Sequence, residues 1–350
     1  MYSRQLSEPP VHIIENGKAN FGTYNGVSQR IDIRGMFAPY AGIPVPAFIS
    51  NLRIKGRLSF IFSTEKLEGF CEFLDFKAFG LSQLTIWEKD SGKKYSYSSF
   101  LPTRRRIVPK NTRQGSCTNY KKTRHIRITW GKEHQHHSLA FNLKKNSIYP
   151  EIDGFIYSPI NDQMHKDLLF VNPSPSSSRC SATWFTTMQI HGVTRINGNK
   201  IDDSNGLAAM MLNRSYVKLH SKSTAVYALG NVKGKNLVMQ LKSSNLDAAD
   251  SDNYNDNVLI VDGETTTLPP VYITHPFGIN KNWIIQDTEN MIDLTFTPES
   301  SALKHLNIIV FRTTNTAIYG TFEGTLLDKN GQKINLKNFP GIIYRSMFRL

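Results

Sequence analysis

The sequence of 350 residues predicts an all-β protein with two antiparallel β-barrels, or a double β-sheet of similar size. Three observations support this fold class. Short segments alternate apolar with polar residues, as half-buried strands do. Pairs such as Asn-Gly and Asp-Gly separate these segments, and they favour hairpin turns. Only one segment has a helical pattern, which favours a sandwich or barrel over βαβ units.

The strand patterns are clearest in FCEFLDF, HIRITW and IDLTFT, at residues 70–76, 125–130 and 292–297. NLVMQL, LNIIVF and AIYGTFEG, at residues 236–241, 306–311 and 317–324, are short and rich in β-branched or aromatic residues. Hairpin turns are predicted at DSGK, INGN, VDGE and DKNGQK, which begin at residues 90, 196, 261 and 328. One helix is predicted for SNGLAAMMLNR, residues 204–214, with Ser204 or Asn205 as its cap.

A segment rich in Ser and Pro, NPSPSSSRCS at residues 172–181, is the predicted boundary between two halves. We therefore expect one barrel in residues 1–175 and a second in residues 176–350.

The composition favours a folded protein in a reducing compartment. The hydrophobic content of 39% is sufficient for a packed core. No apolar run approaches the roughly 18 residues that span a bilayer, and the first ten residues lack the apolar core of a signal peptide. Cys71, Cys117 and Cys180 lie far apart without CxxC spacing, so we expect reduced thiols, neither a disulfide frame nor a zinc site, and a cytoplasmic location.

Positive charge is concentrated in residues 100–150, the basic stretch. It contains twelve Lys or Arg and a single acid, Glu133, a local excess of +11 within the total of +14. The simplest interpretation of this charge is a solvated face, and the alternative is contact with an acidic membrane surface or an acidic protein. No DNA- or RNA-binding signature accompanies it, so sequence-specific nucleic acid is not an expected partner. The residues proposed for anionic-surface binding are Arg104, Arg105, Arg106, Lys121, Lys122 and Arg124.

Several segments imitate known ligand motifs and fail in detail. NGKANFGTYNG, residues 16–26, has the glycine spacing of a P-loop, but Thr23 stands where Lys is required. GNVKGKN, residues 230–236, is one residue short and lies between strands. DAADSDNYNDN, residues 247–257, lacks the glycine and closing Glu of a calcium loop and predicts an exposed polar loop. EHQHH, residues 133–137, is explained by a turn. We therefore expect no metal, cofactor or assigned catalytic residue.

The order of four segments resembles the bacterial family called domain of unknown function 2804. These are NGKANFGTYNG at residues 16–26, IHGVTRINGNKID at 190–202, NVLIVDGETTTLPPVYI at 257–273, and the C-terminal run at 283–344. The family is considered similar to the carotenoid hydratase and tocopherol cyclase-like proteins, which have paired lipocalin-like (calycin) barrels. The resemblance therefore implies an apolar interior that could hold a lipid or isoprenoid.

The sequence departs from the family pattern at polar positions. Asn213 occupies a place where the resemblance leads us to expect Asp, and Tyr344 one where we expect Glu. STAVYALG, residues 223–230, replaces a Trp-x-Trp strand, and no Lys occurs between Thr183 and Ile190. Because neutral side chains cannot replace an acid or base, the chain is either a diverged binding protein or an enzyme that uses other residues.

Trp184, Met188, Tyr227 and Met239 are the predicted ligand-binding residues, because alternation directs them inward from strands. The alternative is that they are ordinary barrel core. The nearest titratable residues, His191, His220 and Asp293, are expected to be structural.

Three functions follow from the sequence. The first is non-catalytic binding of an apolar small molecule, a lipid or isoprenoid, in a β-barrel cavity. The second is a hydratase or cyclase that acts on a double bond, which would require a buried carboxyl or His in the cavity. The third is an interaction protein that docks an anionic surface or partner through the basic stretch.

Overall fold

The computed structural model describes residues 2–36, 46–102, 107–131, 136–159, 163–202, 205–308 and 311–349. Within these residues the chain forms one short helix and 25 strands. In chain order they are β1 (Leu6–Ser7), β2 (Ile14–Glu15), β3 (Lys18–Ala19), β4 (Gly22–Asn25), α1 (Ala47–Leu52), β5 (Ile54–Thr64), β6 (Leu67–Asp75), β7 (Gly80–Glu88), β8 (Lys94–Leu101), β9 (Gln114–Lys121), β10 (Arg124–Gly131), β11 (His136–Leu143), β12 (Ile152–Pro159), β13 (Lys166–Pro173), β14 (Cys180–Ile196), β15 (Asn199–Asp202), β16 (Gly206–Tyr216), β17 (His220–Val232), β18 (Lys235–Ser244), β19 (Val258–Val261), β20 (Glu264–Thr267), β21 (Val271–Thr274), β22 (Trp283–Asp287), β23 (Ile292–Ile308), β24 (Phe311–Leu327) and β25 (Lys333–Arg349).

The larger sheet has 14 strands and curves into a nearly closed barrel. Its main path is β8-β7-β6-β5-β16-β14-β12-β11-β10-β9, and β1, β4, β13 and β15 attach to it. Its strands pair antiparallel except for β1 and β4, which are parallel. The interior of the barrel is filled by a cluster of buried side chains that includes Phe60, Trp130 and Met188.

The smaller sheet has nine strands in the order β20-β19-β18-β17-β25-β24-β23-β22-β21 and forms a half-barrel. An apolar cluster that includes Val226, Met239 and Phe296 fills its concave side. A third cluster joins the two sheets, with Phe70 and Phe185 from the larger sheet and Tyr344 from the smaller one. The predicted all-β class with two large antiparallel sheets is confirmed.

The predicted helix at residues 204–214 is wrong, because residues 206–214 lie in β16. Met210 and Leu212 point into the barrel, whereas Ala209 and Met211 point towards the smaller sheet. A strand that is buried on both faces has a continuous apolar sequence, and this lacks the alternation by which half-buried strands are recognised.

The larger sheet extends to Tyr216 and the smaller sheet begins at His220. Residues 172–181, the predicted boundary, include the connection between β13 and β14, two strands that pair with each other. The limit between residues 175 and 176 therefore falls inside the larger sheet, and the sheets divide about 40 residues later. Domains that fold separately with the predicted limits stay a prediction.

The turn predictions agree with the hairpins of the structure. Asn16 and Gly17 have φ values of 48° and 77° between β2 and β3, and Lys233 and Gly234 have 51° and 85° between β17 and β18. These left-handed conformations favour Asn and Gly and form tight hairpins. Both P-loop imitations are therefore turns. None of the helices in the described ranges has the length and apolar character needed to cross a membrane.

Candidate functional site

A cavity of about 160 Å³, the inter-sheet cavity, lies where the two sheets face each other. The larger sheet contributes side chains from β5, β6, β13, β14 and β16, and the smaller sheet from β17, β18, β24 and β25. The connection between β18 and β19 completes the wall. The lining residues used below are Lys55, Arg57, Asn172, Thr183, Met211, Asn213, Ala225, Tyr227, Gln240, Lys242, Asp256, Asn315, Ser346 and Phe348.

Strand alternation directs these side chains into the space between the sheets. On β17, Val226 and Ala228 belong to the apolar core of the smaller sheet, while Tyr227 points towards the larger sheet. On β6, Phe70 and Glu72 share one face, and both meet Tyr344 of β25. Successive residues of a strand point to opposite faces, so the polar set lies in a different layer from the apolar core.

Arg57, Glu72 and Tyr344 form a buried network beside the inter-sheet cavity. Arg57 Nε lies 3.0 Å from Glu72 Oε1, and the Tyr344 hydroxyl donates a 2.6 Å hydrogen bond to Glu72 Oε2. The Arg57 guanidinium lies 5.1 Å from the centre of the Tyr344 ring, within the range of a cation–π contact. Burial disfavours the charged Arg57, but Glu72, Tyr344 and Tyr227 together outweigh this effect and raise the pKa of Arg57. Arg57 is therefore held in its charged form.

Asp256 forms a second network on the opposite wall. Its carboxylate accepts hydrogen bonds from Lys242 Nζ at 2.8 Å, Asn172 Nδ2 at 2.5 Å and Thr183 Oγ1 at 3.3 Å. Asn213 Nδ2 in turn donates to Thr183 Oγ1 at 2.8 Å. Burial disfavours the charged Lys242, but Asp256 raises its pKa above the ordinary value. Residues of both sheets thus hold one buried carboxylate.

The Tyr227 hydroxyl lines the inter-sheet cavity without a hydrogen bond to any of the described residues. Burial raises the pKa of Tyr227, so the hydroxyl stays protonated at neutral pH and can donate. The residue is only 6% exposed. Because a buried hydroxyl is destabilising when it has no partner, a bound molecule or water would complete its hydrogen bonding.

The inter-sheet cavity has apolar and polar walls, which suit different parts of one ligand. Met211, Ala225 and Phe348 supply apolar contact, and Tyr227, Asp256 and Lys242 supply hydrogen-bonding groups nearby. Such a mixture fits an amphipathic molecule better than a purely apolar one.

The four predicted ligand-binding residues lie in three different layers. Trp184 and Met188 point into the larger barrel, Met239 into the core of the smaller sheet, and Tyr227 into the space between the sheets. They do not line one cavity, because the two sheets curve about separate cores. Their predicted alternation within each strand is correct, and their binding of a ligand stays a prediction.

The basic stretch lies only partly within the described residues. Arg104, Arg105 and Arg106 fall outside them, while Lys121 and Lys122 are exposed at the turn between β9 and β10. Arg124 donates hydrogen bonds to the carbonyl of Ser98 and the hydroxyl of Ser99. Binding of an anionic surface stays a prediction.

The other polar candidates lie away from the inter-sheet cavity. His191 and Asn205 are joined by a 3.0 Å hydrogen bond, and Asp293 accepts one from Gln286 at 2.9 Å. Within EHQHH, residues 133–135 lie outside the described part of the chain. Among the described residues no group of three His, Cys, Asp or Glu could hold a metal ion.

The sequence interpretation missed Asp256, Lys242, Arg57 and Glu72. The prediction that residues 247–257 form an exposed polar loop is wrong at its end, because Asp256 is only 4% exposed. A usable signal was present in FCEFLDF, where Glu72 falls on the same strand face as Phe70. A charge within an apolar alternation indicates a buried ion pair or a site.

The chain belongs to the family described as "Domain of unknown function (DUF2804)", whose model matches residues 17–349. The resemblance inferred from sequence is thereby confirmed. No curated protein matches the chain.

Two solved structures are similar to the chain at low identity. Kievitone hydratase from Nectria haematococca is 10% identical with a TM-score of 0.43, and the match covers 93% of this chain and 97% of that one. OccAB2 from Acinetobacter baumannii is 10% identical with a TM-score of 0.12, covering 84% and 95% of the respective chains.

Three residues at positions where the resemblance leads us to expect other residues lie at or beside the inter-sheet cavity. Asn213 and Tyr227 line it, and Tyr344 bonds to Glu72 beside it. That they replace residues of a family pattern stays a prediction.

Proposed function

We propose that the protein binds a small amphipathic molecule in the inter-sheet cavity, with its polar group at Tyr227 and its apolar part against Met211 and Phe348. The observation that carries this proposal is the buried Tyr227 hydroxyl, which has no hydrogen-bond partner among the described residues. Arg57 is already paired with Glu72, and Lys242 with Asp256. The Tyr227 hydroxyl therefore remains to recognise a ligand, together with Gln240 Oε1 and Asn172 Oδ1, which have no hydrogen-bond partner among the described residues.

The volume limits the size of that ligand. An engineered apolar cavity of about 150 Å³ binds benzene, and drug-sized ligands occupy about 300 Å³ or more. The inter-sheet cavity of about 160 Å³ therefore accepts one ring or a short chain. A complete isoprenoid would require the sheets to move apart. The proposed ligand is therefore a molecule of the size of one ring, or the end of a larger molecule, and not a complete long lipid.

Phenol and toluene test this proposal, because they differ by one hydroxyl at nearly equal size. We expect phenol to bind with a Kd of about 0.1–1 mM by isothermal titration calorimetry, as its few atoms allow. Tyr227→Phe should weaken phenol about 3- to 10-fold through the lost hydrogen bond and leave toluene unchanged. The matched control is Tyr272→Phe, since Tyr272 is 64% exposed.

Two results would overturn the proposal. One is no binding of phenol to the wild-type protein, and the other is equal loss of phenol affinity in the Tyr227 and Tyr272 variants. Native mass spectrometry of the protein purified from cells provides an independent measurement, in which we expect a co-purified small molecule.

A second candidate function is acid–base catalysis on a double bond, which the buried carboxyl of Asp256 favours. Asp256 and Tyr227 line the same cavity and could exchange protons with a bound molecule. The test is incubation with 4-vinylphenol, in which hydration adds one water to the mass of the product. Catalysis would require that Asp256→Asn abolishes this product while phenol still binds, and the absence of product from the wild-type protein would exclude hydration of this probe.

A further inference from the structure

A second cavity, the mouth cavity, lies at the end of the larger barrel where β10 ends and β11 begins. Its volume is about 500 Å³, within the range of small-molecule sites. The N-terminal segment closes one side through Pro9, Pro10 and Val27, and the barrel wall supplies His137, His165, Asp167 and Trp184. It shares no lining residue with the inter-sheet cavity.

Side chains of the mouth cavity point into the barrel interior, where most of the neighbouring side chains are apolar. Each of three side chains points to the same face of its strand as a residue of the interior cluster. These pairs are His137 with Leu139, Trp184 with Met188, and Asp167 with Leu169. Alternation therefore directs His137 and Asp167 inward with the core, and His165 continues the same parity. Polar groups in such a position are destabilising unless they are partnered.

Within this polar cluster, Asp167 already has hydrogen-bond partners. Trp184 Nε1 donates a 2.8 Å hydrogen bond to Asp167 Oδ1, and His165 Nε2 lies 3.4 Å from Asp167 Oδ2. Burial alone would raise the pKa of Asp167, but His165 and Trp184 outweigh it, and the pKa lies below the ordinary value. The carboxylate is ionised and orients both rings.

His137 is the open end of the cluster. Its ring centre lies 5.6 Å from that of His165 and 6.2 Å from that of Trp184. The residue is 5% exposed, and its Nδ1 has no hydrogen-bond partner within the described parts of the chain. Burial, together with His165, lowers the pKa of His137 to about 4. The ring is therefore neutral at pH 7, and one of its nitrogens is an acceptor.

We propose that the mouth cavity is a second ligand site, which binds a neutral molecule of about two fused rings whose hydroxyl donates to His137. The Pro9, Pro10 and Val27 wall contacts the apolar rings. A hydroxyl of the ligand is the complementary group, because Asp167 already has hydrogen-bond donors of its own and the acceptor on His137 requires a donor. Arg113 also lines the cavity.

Binding of 2-naphthol and of naphthalene tests this proposal, with tryptophan fluorescence as the readout. We expect 2-naphthol to quench Trp130 and Trp184, which lie 6.4 Å apart, by saturable 1:1 binding. His137→Phe should weaken 2-naphthol about 3- to 10-fold and leave naphthalene unchanged. Gln29→Trp, at the exposed rim, should block both compounds, and Tyr227→Phe should affect neither.

Equal affinity of 2-naphthol for the wild-type and His137→Phe proteins would overturn the proposal, as would binding that Gln29→Trp leaves intact. If His137→Phe does not fold, the wild-type protein decides by ¹⁵N NMR. The His137 ring nitrogens must then change chemical shift on addition of 2-naphthol but not of naphthalene, and unchanged shifts would contradict the site.

Discussion

The two faces of the smaller sheet are both buried, yet they differ in chemistry. The concave face presents Val226, Ala228 and Met239 to an apolar core. The face towards the larger sheet presents Tyr227, Lys242 and Tyr344 to an opposing layer that contains charges. An apolar layer would join two sheets at least as firmly, because buried ion pairs are often replaced by apolar residues without loss of stability. On this face the polar groups lie beside apolar residues such as Leu229, Val238 and Ile342, which pack against the larger sheet.

The largest expected loss of stability comes from a substitution in the apolar concave face of the smaller sheet. Phe296 is fully buried in the concave core, in contact with Phe322 at a ring distance of 4.7 Å. Phe296→Ala should lower the free energy of unfolding by about 4 kcal/mol, measured by urea denaturation, because it leaves a cavity. The control is Phe277→Ala, which changes a residue that is 78% exposed. Equal effects of the two substitutions would contradict a packed concave core.

The second largest expected loss of stability comes from a substitution in the charged network between the two sheets. Glu72→Gln removes the partner of Arg57 and should destabilise the protein by about 3 kcal/mol, at the lower end for a buried pair because Arg57 borders the inter-sheet cavity. Glu151→Gln removes an exposed partner of Lys144 and should change stability by less than about 1 kcal/mol. If the two variants are equally stable, the charges between the sheets behave as surface charges.

Glu68 gives the polar layer a pH dependence. Burial raises the pKa of Glu68 to about 7 from the ordinary value of 4.5, although Lys89 lies 3.4 Å away. The unfolded chain loses this proton first as the pH rises, so it binds fewer protons than the folded protein between pH 4.5 and 7.

The contribution of Glu68 to stability is therefore fully present below pH 4.5 and is lost as the pH rises through 7. The free energy of unfolding should fall by up to about 3 kcal/mol over this range. Glu68→Gln should remove this decrease in denaturation experiments at several pH values. A decrease of the same size in the variant would assign it to other groups.

The smallest expected changes in stability come from substitutions of two buried tyrosines, Tyr344 and Tyr227, which face the same layer. Tyr344→Phe should destabilise the protein by about 2 kcal/mol, because it removes a hydrogen bond to the Glu72 carboxylate. Tyr227→Phe should change stability by no more than about 0.5 kcal/mol, since its hydroxyl has no partner to lose within the described residues. A larger loss of stability in Tyr227→Phe than in Tyr344→Phe would contradict the assignment of the hydroxyl without a protein partner to Tyr227.

Much of this architecture was predictable from local patterns. Alternation in FCEFLDF and IDLTFT identified β6 and β23, and the Asn-Gly and Asp-Gly pairs identified the hairpins. The apolar run of β16, residues 207–212, was not predictable as a strand, because burial on both faces removes the signal on which the distinction from a helix depends.

The candidate site was harder to predict from the sequence than the fold. Strand parity gave the correct direction of Trp184, Tyr227 and Met239, but parity alone does not reveal which sheet lies opposite. Asp256 and Arg57 are about 200 residues apart in the chain and line one cavity only because the two sheets stack. Pairing between Asp256 and Lys242 across a loop likewise depends on tertiary structure.

The most direct test of the central claim is a crystal structure of the protein soaked with 4-bromophenol, with the bromine located by anomalous diffraction. We expect a bromine peak between the two sheets, in contact with the residues around Tyr227, and a weaker peak in Tyr227→Phe crystals soaked at the same subsaturating concentration. A peak inside either barrel, beside Met188 or Met239, with none between the sheets, would contradict it.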